Sequence, residues 1–250
     1  MIKELGLQMY SIREHLETYE DVRAALQTVK EMGYTVVQTA GQKISLEELA
    51  QITNELGITV CGTHCGFDSL VADPVAAMET HRKLGTTNIG IGGLFVNTAQ
   101  EAADFIRRAN AFADIIYKEG FKFTYHNHHH EFRKFGDKTM MDMLVEGLDP
   151  EKTSFCLDTY WVQHGGGDVC TWLEKLEGRI DILHLKDMTI TPDRTPIMTE
   201  IGNGNMDFDK IVATAEKTGV KYYVVEQDVC PGDSFDSVRK SAEYIKAKYM

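Results

Sequence analysis

Basic residues are scarce in this chain relative to acidic ones: 26 Lys and Arg stand against 38 Asp and Glu, a formal charge of −12 at pH 7. That balance repels a phosphate backbone unless the few cations gather in one groove, so no nucleic-acid partner is expected. Cysteine is sparse as well. Cys61, Cys65, Cys156, Cys170 and Cys230 are odd in number and form no CxxC pair, which argues against a disulfide framework and fits a cytoplasmic setting. They read as small buried hydrophobes. No apolar run approaches the roughly 18 to 20 residues of a membrane span, and the opening MIKELGLQMYSIRE lacks the basic-then-apolar order of a secretory signal. A soluble protein with no membrane partner is the expectation. With only five prolines, no low-complexity tract and no charge block there is no linker, so a single domain spanning 1–250 is expected.

What the chain does have is a rhythm. Short apolar runs rich in β-branched residues alternate with longer segments of helical spacing. Leu5 to Met9 is followed by a helix over Tyr19 to Met32, in which Val22, Leu26, Val29 and Met32 recur at three- and four-residue spacing before Gly33 stops it. The pattern continues as strand 35–39 with helix 45–56, strand 59–62 with helix 73–84, and strand 88–91 with helix 98–119. The second half gives strand 122–125 with helix 138–146, strand 154–157 with helix 168–176, strand 181–185 with helix 207–218, and strand 222–225 with helix 234–248. A strand followed by a helix eight times supplies the crossover that parallel strands require. The count, the length and the lack of a GxGxxG turn favour an α/β fold of the (β/α)8 TIM barrel type over an open doubly wound sheet.

A barrel places its chemistry at the C-terminal ends of its strands. Polar residues collect there: His64 after the third strand, His126 to Glu131 after the fifth, Asp158 and Trp161 after the sixth, His184 and Lys186 at the seventh, and Glu226 and Asp228 after the eighth. Such groups lose solvation at a barrel mouth unless they are paired, and a shared divalent cation pairs several at once. The mixed oxygen and nitrogen set suits Mn²⁺, Mg²⁺, Co²⁺ or Zn²⁺ without choosing among them. Plainer readings stand beside these. Asp158 reads also as a turn cap, His184 as a satisfied core histidine, and His129 and His130 as a solvated loop.

These residues carry a resemblance. Gly6 to Arg13, the Tyr-His-Asn-His-x-x-Glu-Phe stretch from Tyr125, Leu-Asp-Thr-x-Trp from Leu157, His-Leu-Lys-Asp from His184, Gly-x-Gly-x-x-Asp-Phe from Gly202 and Val-Glu-Gln-Asp from Val225 resemble the sugar phosphate isomerase/epimerase family of xylose-isomerase-like TIM barrels. The resemblance runs along the whole chain. It implies one divalent metal held at the ends of strands five to eight, by Glu131, Asp158, His184 and Glu226 here. The fifth-strand ligand stays open, since His126 and His128 lie closer to the strand end. With Glu131 as that ligand, His126 and His128 read as substrate-binding or acid-base groups, and the resemblance also implies His64, Lys186 and Glu200 in the substrate pocket, with Trp161 as an apolar wall against a sugar ring.

A metal that chelates a carbonyl and its neighbouring hydroxyl acidifies the intervening C–H and holds the resulting enediolate while a carboxylate takes the proton. The expectation is therefore a metal-dependent isomerase or epimerase acting on a keto sugar or related polyol, with Glu131 and Glu226 moving protons. A dehydratase or lyase acting on an inosose or 3-keto-glycoside shares the first step, and a non-catalytic sugar-binding barrel is the non-enzyme alternative. A DNA-repair endonuclease of the endonuclease IV type would need more metal ligands and a basic crescent. The partner expected is a small sugar or cyclitol, read as unphosphorylated for want of an Arg/Lys cluster, and the apolar content leaves room for a homodimer.

Overall fold

A computed structural model describes residues 1–250. Its eight parallel strands are β1 (Leu5–Gln8), β2 (Val36–Thr39), β3 (Thr59–Thr63), β4 (Asn88–Ile91), β5 (Lys122–His126), β6 (Thr153–Asp158), β7 (Ile180–Leu185) and β8 (Tyr222–Val225). Every strand pairs with its sequence neighbours except β3 with β4, and β1 pairs with β8, so the sheet curls into a nearly closed barrel whose seam lies between β3 and β4. This is the TIM barrel that the strand-helix rhythm predicts.

The long helices between the strands are α1 (Tyr19–Glu31), α2 (Leu46–Leu56), α4 (Pro74–Leu84), α5 (Ala99–Tyr117), α6 (Met140–Gly147), α8 (Val169–Lys175), α9 (Phe208–Lys217) and α10 (Ser234–Tyr249). Two short helices, α3 (Phe67–Ala72) and α7 (Thr159–His164), are additions that periodicity missed because neither is long enough to show one. Capping boxes fix several starts: Thr18 with Asp21, Ser45 with Glu48, Thr98 with Glu101 and Thr139 with Asp142. The last of these corrects the expected helix start at Lys138. Lys138 and Thr139 pair with Lys134 and Phe135 in a small hairpin, and the helix begins only after the Thr139 cap. Met9 likewise leaves β1 and opens a 3-10 segment, Met9–His15. A second hairpin, Asp187–Ile190 with Pro196–Thr199, extends from the end of β7.

Two apolar bodies hold the barrel. One is the layer between strands and helices, which includes Phe105, Phe112, Phe123, Tyr125 and Phe155; the other is a plug inside the barrel, made of Val36, Cys61, Cys156, Ile182 and Val224. All five cysteines are unpaired, and Cys61 and Cys156 fill the plug, as small hydrophobes would. No helix is long and apolar enough to cross a membrane.

The β3–β4 seam is closed by little: a bridge between Cys65 and Ile91, with the Cys65 N–H donating to the Gly90 carbonyl at 2.9 Å. The strands approach closely there, because a Cβ on Gly90 would lie 2.4 Å from the Thr63 carbonyl oxygen. That atom is backbone and cannot swing aside. Gly90→Ala should therefore cost about 2 kcal/mol by overpacking and lower Tm by about 4–8 °C. A thermal melt indistinguishable from the parent would show that the seam is looser than these distances.

Candidate metal and active site

The pleat decides which strand residues reach the site. On β5, Phe123 and Tyr125 pack outward against Phe112 and Phe105 of α5, so Thr124 and His126 face inward. The inward side chains form tiers. Deepest, Thr124 hydrogen-bonds Asn88 and Ser154 at 3.2 and 2.8 Å. The five-residue plug lies above them. At the mouth come Gln8, Gln38, His126, Asp158, His184, Lys186 and Glu226, all buried, with His64 among them.

His126, Asp158, His184 and Glu226 bring one ligand atom each to within 4.8 Å of one another. His126 Nδ1 lies 3.1 Å from the Gly92 carbonyl, which accepts the ring proton and leaves the Nε2 lone pair facing the cluster. On the opposite side, His184 Nε2–H donates to Gln38 Oε1, leaving Nδ1 facing the same point; burial lowers the His184 pKa, but Cys156, Glu226 and Asp158 hold it well above the ordinary imidazole value, so Nδ1 meets the carboxylates through a proton or through a cation. Asp158 spends Oδ1 on the Trp161 N–H at 2.8 Å, capping α7, and turns Oδ2 inward. The plain reading of Asp158 as a cap is therefore true of one oxygen only.

Three atoms, His126 Nε2, Asp158 Oδ2 and His184 Nδ1, are buried without a hydrogen-bond partner. Asp158 Oδ2 lies 3.5 Å from His126 Nε2 and 3.6 Å from His184 Nδ1, too far for hydrogen bonds. Those separations are close to the roughly 3.4 Å between neighbouring ligands on a tetrahedron of ~2.1 Å metal bonds. His184 Nδ1 is 2.8 Å from Glu226 Oε2 but out of hydrogen-bond alignment. A nitrogen lone pair beside a carboxylate oxygen is repulsive unless a cation or a proton lies between them. The donor set thus fits a divalent cation, with His126, Asp158, His184 and Glu226 as the residues able to hold it.

Lys186 is buried in the same place. Its Nζ lies 3.4 Å from Asp158 Oδ2, 3.0 Å from Glu226 Oε2 and 2.8 Å from each oxygen of Asp228. Burial alone would lower its pKa, but Asp158, Glu226 and Asp228 hold it above the ordinary lysine value. Burial likewise pushes the Asp158 and Glu226 carboxyls up, but the Lys186 ammonium together with His184 and His126 outweighs it, holding both below their ordinary range. Asp228 titrates above its ordinary value through burial and the nearby Glu226 charge.

A cavity of 460 Å³ opens over the cluster, lined by His64, His126, His128, Trp161, Lys186 and Glu226 among others, within the size range of small-molecule sites. His64 lies tilted against His126 and His184, at ring separations of 4.9 and 5.8 Å, and its nitrogens face the side-chain amides of Gln8 and Gln38. Burial and the neighbouring His126 pull His128 down to about 3, so its ring is neutral. Trp161 presents its ring 5.0 Å from the Lys186 ammonium.

Two residues expected in the site lie elsewhere. Glu131 follows a turn that carries it back to the outer side of β5, where Tyr125 Oη and the His128 N–H each donate to its carboxylate at 2.8 Å. It groups with His128 and His130, and His126 takes the fourth position around the cluster instead. Glu200 is farther still. Its carboxylate accepts from Asn203, Ser237 and Lys240, tying the β7–β8 connection to α10, outside the cavity lining.

Gln8 and Gln38 escaped the sequence reading because glutamine on a strand carries no ligand signal; their inward phase on β1 and β2 was the available clue. Asp228 was visible at a strand end but lacked an assigned partner. Gln38→Leu should weaken Mn²⁺ or Zn²⁺ binding about 10–100-fold by releasing the His184 tautomer, whereas Glu131→Gln should leave metal affinity unchanged. Calorimetric titration of both variants tests this, and the opposite ranking would restore Glu131 to the cluster.

Residues 26–248 match the family described as "Xylose isomerase-like TIM barrel". An inosose dehydratase of Geobacillus thermodenitrificans (strain NG80-2) is 27% identical over 168 residues, which cover 60% of this chain and 56% of that protein. The chain thus spans a little over half the length of this relative. A solved structure described as a sugar phosphate isomerase/epimerase from Parabacteroides distasonis ATCC 8503 is 26% identical, with a TM-score of 0.83 over 99% of both chains. The structure of a protein called IOLI, described as binding a zinc atom, shares the fold with a TM-score of 0.72 at 15% identity over 99% of both chains. The relatives are named as enzymes, and the barrel, its strand-end chemistry and the match over most of its length converge: this chain belongs to the xylose isomerase-like TIM barrel family.

Proposed function

We propose that this chain is a divalent-metal-dependent enzyme that removes the proton beside the carbonyl of a keto sugar or cyclitol and, in its best-supported outcome, expels a β-hydroxyl as a dehydratase. The observation that carries the reading is the convergence of three buried, unpartnered atoms of His126, Asp158 and His184 beside Glu226, at the floor of a cavity suited to one small polyol. The family resemblance and the relatives named inosose dehydratase support it.

A divalent cation bound at this cluster supplies Lewis-acid polarisation of a carbonyl and its neighbouring hydroxyl. The mixed ligand set suits Mn²⁺, Co²⁺, Zn²⁺ or Mg²⁺. Glu226 Oε2, the cluster carboxylate that lines the cavity, accepts the proton. Lys186, kept charged by its three carboxylates, donates a hydrogen bond to the oxygen on which negative charge develops. Trp161 offers a ring face to the substrate, and neutral His128 offers a hydrogen-bonding edge without adding positive charge.

The choice between outcomes turns on Glu131. Inversion at carbon by two bases requires carboxylates on opposite faces of the substrate, and Glu131 is turned away by Tyr125 and the His128 N–H. A single carboxylate serves elimination, or the return of a proton to the same face. The isomerase or epimerase reading retains support from the neighbour named sugar phosphate isomerase/epimerase and operates here by same-face transfer.

Metal-loaded enzyme incubated in D₂O with a panel of inososes and keto sugars should exchange the α-proton and release an unsaturated product. Glu226→Gln should reduce turnover at least 10³-fold while the far-ultraviolet spectrum stays unchanged. Full activity in that variant, or no exchange with any member of the panel, would overturn the proposal.

A further inference from the structure

A second set of donors follows β5, and it shares no residue with the cluster. His128, His130 and Glu131 bring one ligand atom each to within 4.8 Å of one another. Glu131 is fully buried, and the groups that donate to its two oxygens, the Tyr125 hydroxyl and the His128 N–H, are both neutral. A buried carboxylate is rare without a cation beside it. His128 Nδ1 is buried with no hydrogen-bond partner. It faces the turn after β4: a Cβ on Gly93 would lie 2.8 Å from it, so the absent side chain leaves that space clear.

The same turn offers a backbone oxygen. His130 Nε2 lies 2.9 Å from the Leu94 carbonyl, which accepts its proton, and 3.3 Å from Glu131 Oε1, out of hydrogen-bond alignment. The second separation is close to the roughly 3.4 Å between neighbouring ligands on a tetrahedral ion. Phe95, an exposed ring, stacks on His130 at 4.5 Å, and the His128 ring lies parallel to His130 at 5.4 Å, so both imidazoles are held in place. A proton on His130 serves the Leu94 carbonyl and leaves His128 Nδ1 with nothing.

We propose that His128 through Nδ1, His130 through Nε2, Glu131 through Oε1 and the Leu94 carbonyl hold a second divalent cation, structural in role and separate from the cluster. Two imidazoles, one carboxylate and one carbonyl suit Zn²⁺ and its borderline neighbours. The side chain of His130 is 20% exposed, which gives the ion a way in. The ion ties the loops after β4 and β5 together. With Nδ1 ligated, the His128 ring proton is on Nε2, so this residue of the catalytic cavity lining is fixed as a hydrogen-bond donor.

The test is equilibrium dialysis of the purified protein against micromolar Zn²⁺, followed by metal analysis. The parent should hold two zinc ions per chain. His130→Ala and Glu131→Gln should each hold one, bound as tightly as the cluster ion of the parent and with an unchanged far-ultraviolet spectrum. His184→Ala, which disables the cluster, should also hold one, and His184→Ala combined with His130→Ala none. A single zinc in the parent that disappears in His184→Ala, or two that persist in His130→Ala, overturns the second site and leaves the cluster standing. A parent that takes up no zinc overturns both.

Discussion

Negative charge gathered at the mouth of the barrel is the constraint on which the site depends. Asp158, Glu226 and Asp228 all approach Lys186. Three carboxylates outnumber the one ammonium, and His184, held well above its ordinary pKa by Cys156 and Glu226 despite burial, makes up only part of the difference. Buried charge in this amount is costly without pairing. A proton on His184 supplies part of what is missing, and the unpartnered atoms of His126, Asp158 and His184 around one point fit a divalent cation in its place. Gly92 and Gln38 each take a ring proton from the far side, so His126 Nε2 and His184 Nδ1 both point at the carboxylates, the orientation that ligation of a cation requires.

The architecture around this point is uneven in a useful way. Strands β5 to β8, which carry the four cluster residues at or just beyond their ends, are contiguous and joined by parallel ladders. The weakest closure, between β3 and β4, falls on the other side of the ring, next to His64. Ligand geometry is thereby entrusted to the continuous part of the sheet, where side chains are most narrowly positioned. Asp158 adds to this by doing two things at once: one oxygen starts α7 and the other faces the cluster, so the helix cap itself orients the inward oxygen.

The fold was legible in the sequence because the strand-helix alternation is a property of local composition repeated eight times. Asp158, His184 and Glu226 were legible because strand ends in a barrel converge. Glu131 was not, for a physical reason. Motif spacing counts residues along the chain, whereas the pleat alternates faces with every residue, and the turn after β5 rotates Glu131 to the side of Tyr125. His126, in phase with inward Thr124, was the residue that alternation favoured. Glu200 failed differently. The hairpin Asp187–Ile190 with Pro196–Thr199 carries the chain away from the mouth before Glu200, and periodicity gives no account of where so short a hairpin points.

The turn that removes Glu131 from the cluster also bears on the reaction. With carboxylates on two sides of a bound substrate, a proton can leave from one face and return to the other, and the stereocentre inverts. With Glu226 as the one cluster carboxylate lining the cavity and Lys186 held charged beside it, the proposed proton acceptor and hydrogen-bond donor lie 3.0 Å apart on the same side. A base and an acid on one face are matched to a substrate that loses its proton and its β-hydroxyl from that face. They serve equally to return a proton to the face it left, but they do not by themselves invert it. On the proposed reaction, the hydrogen bonds from Tyr125 and the His128 N–H to Glu131 set the stereochemical outcome, because they turn that carboxylate away from the cluster.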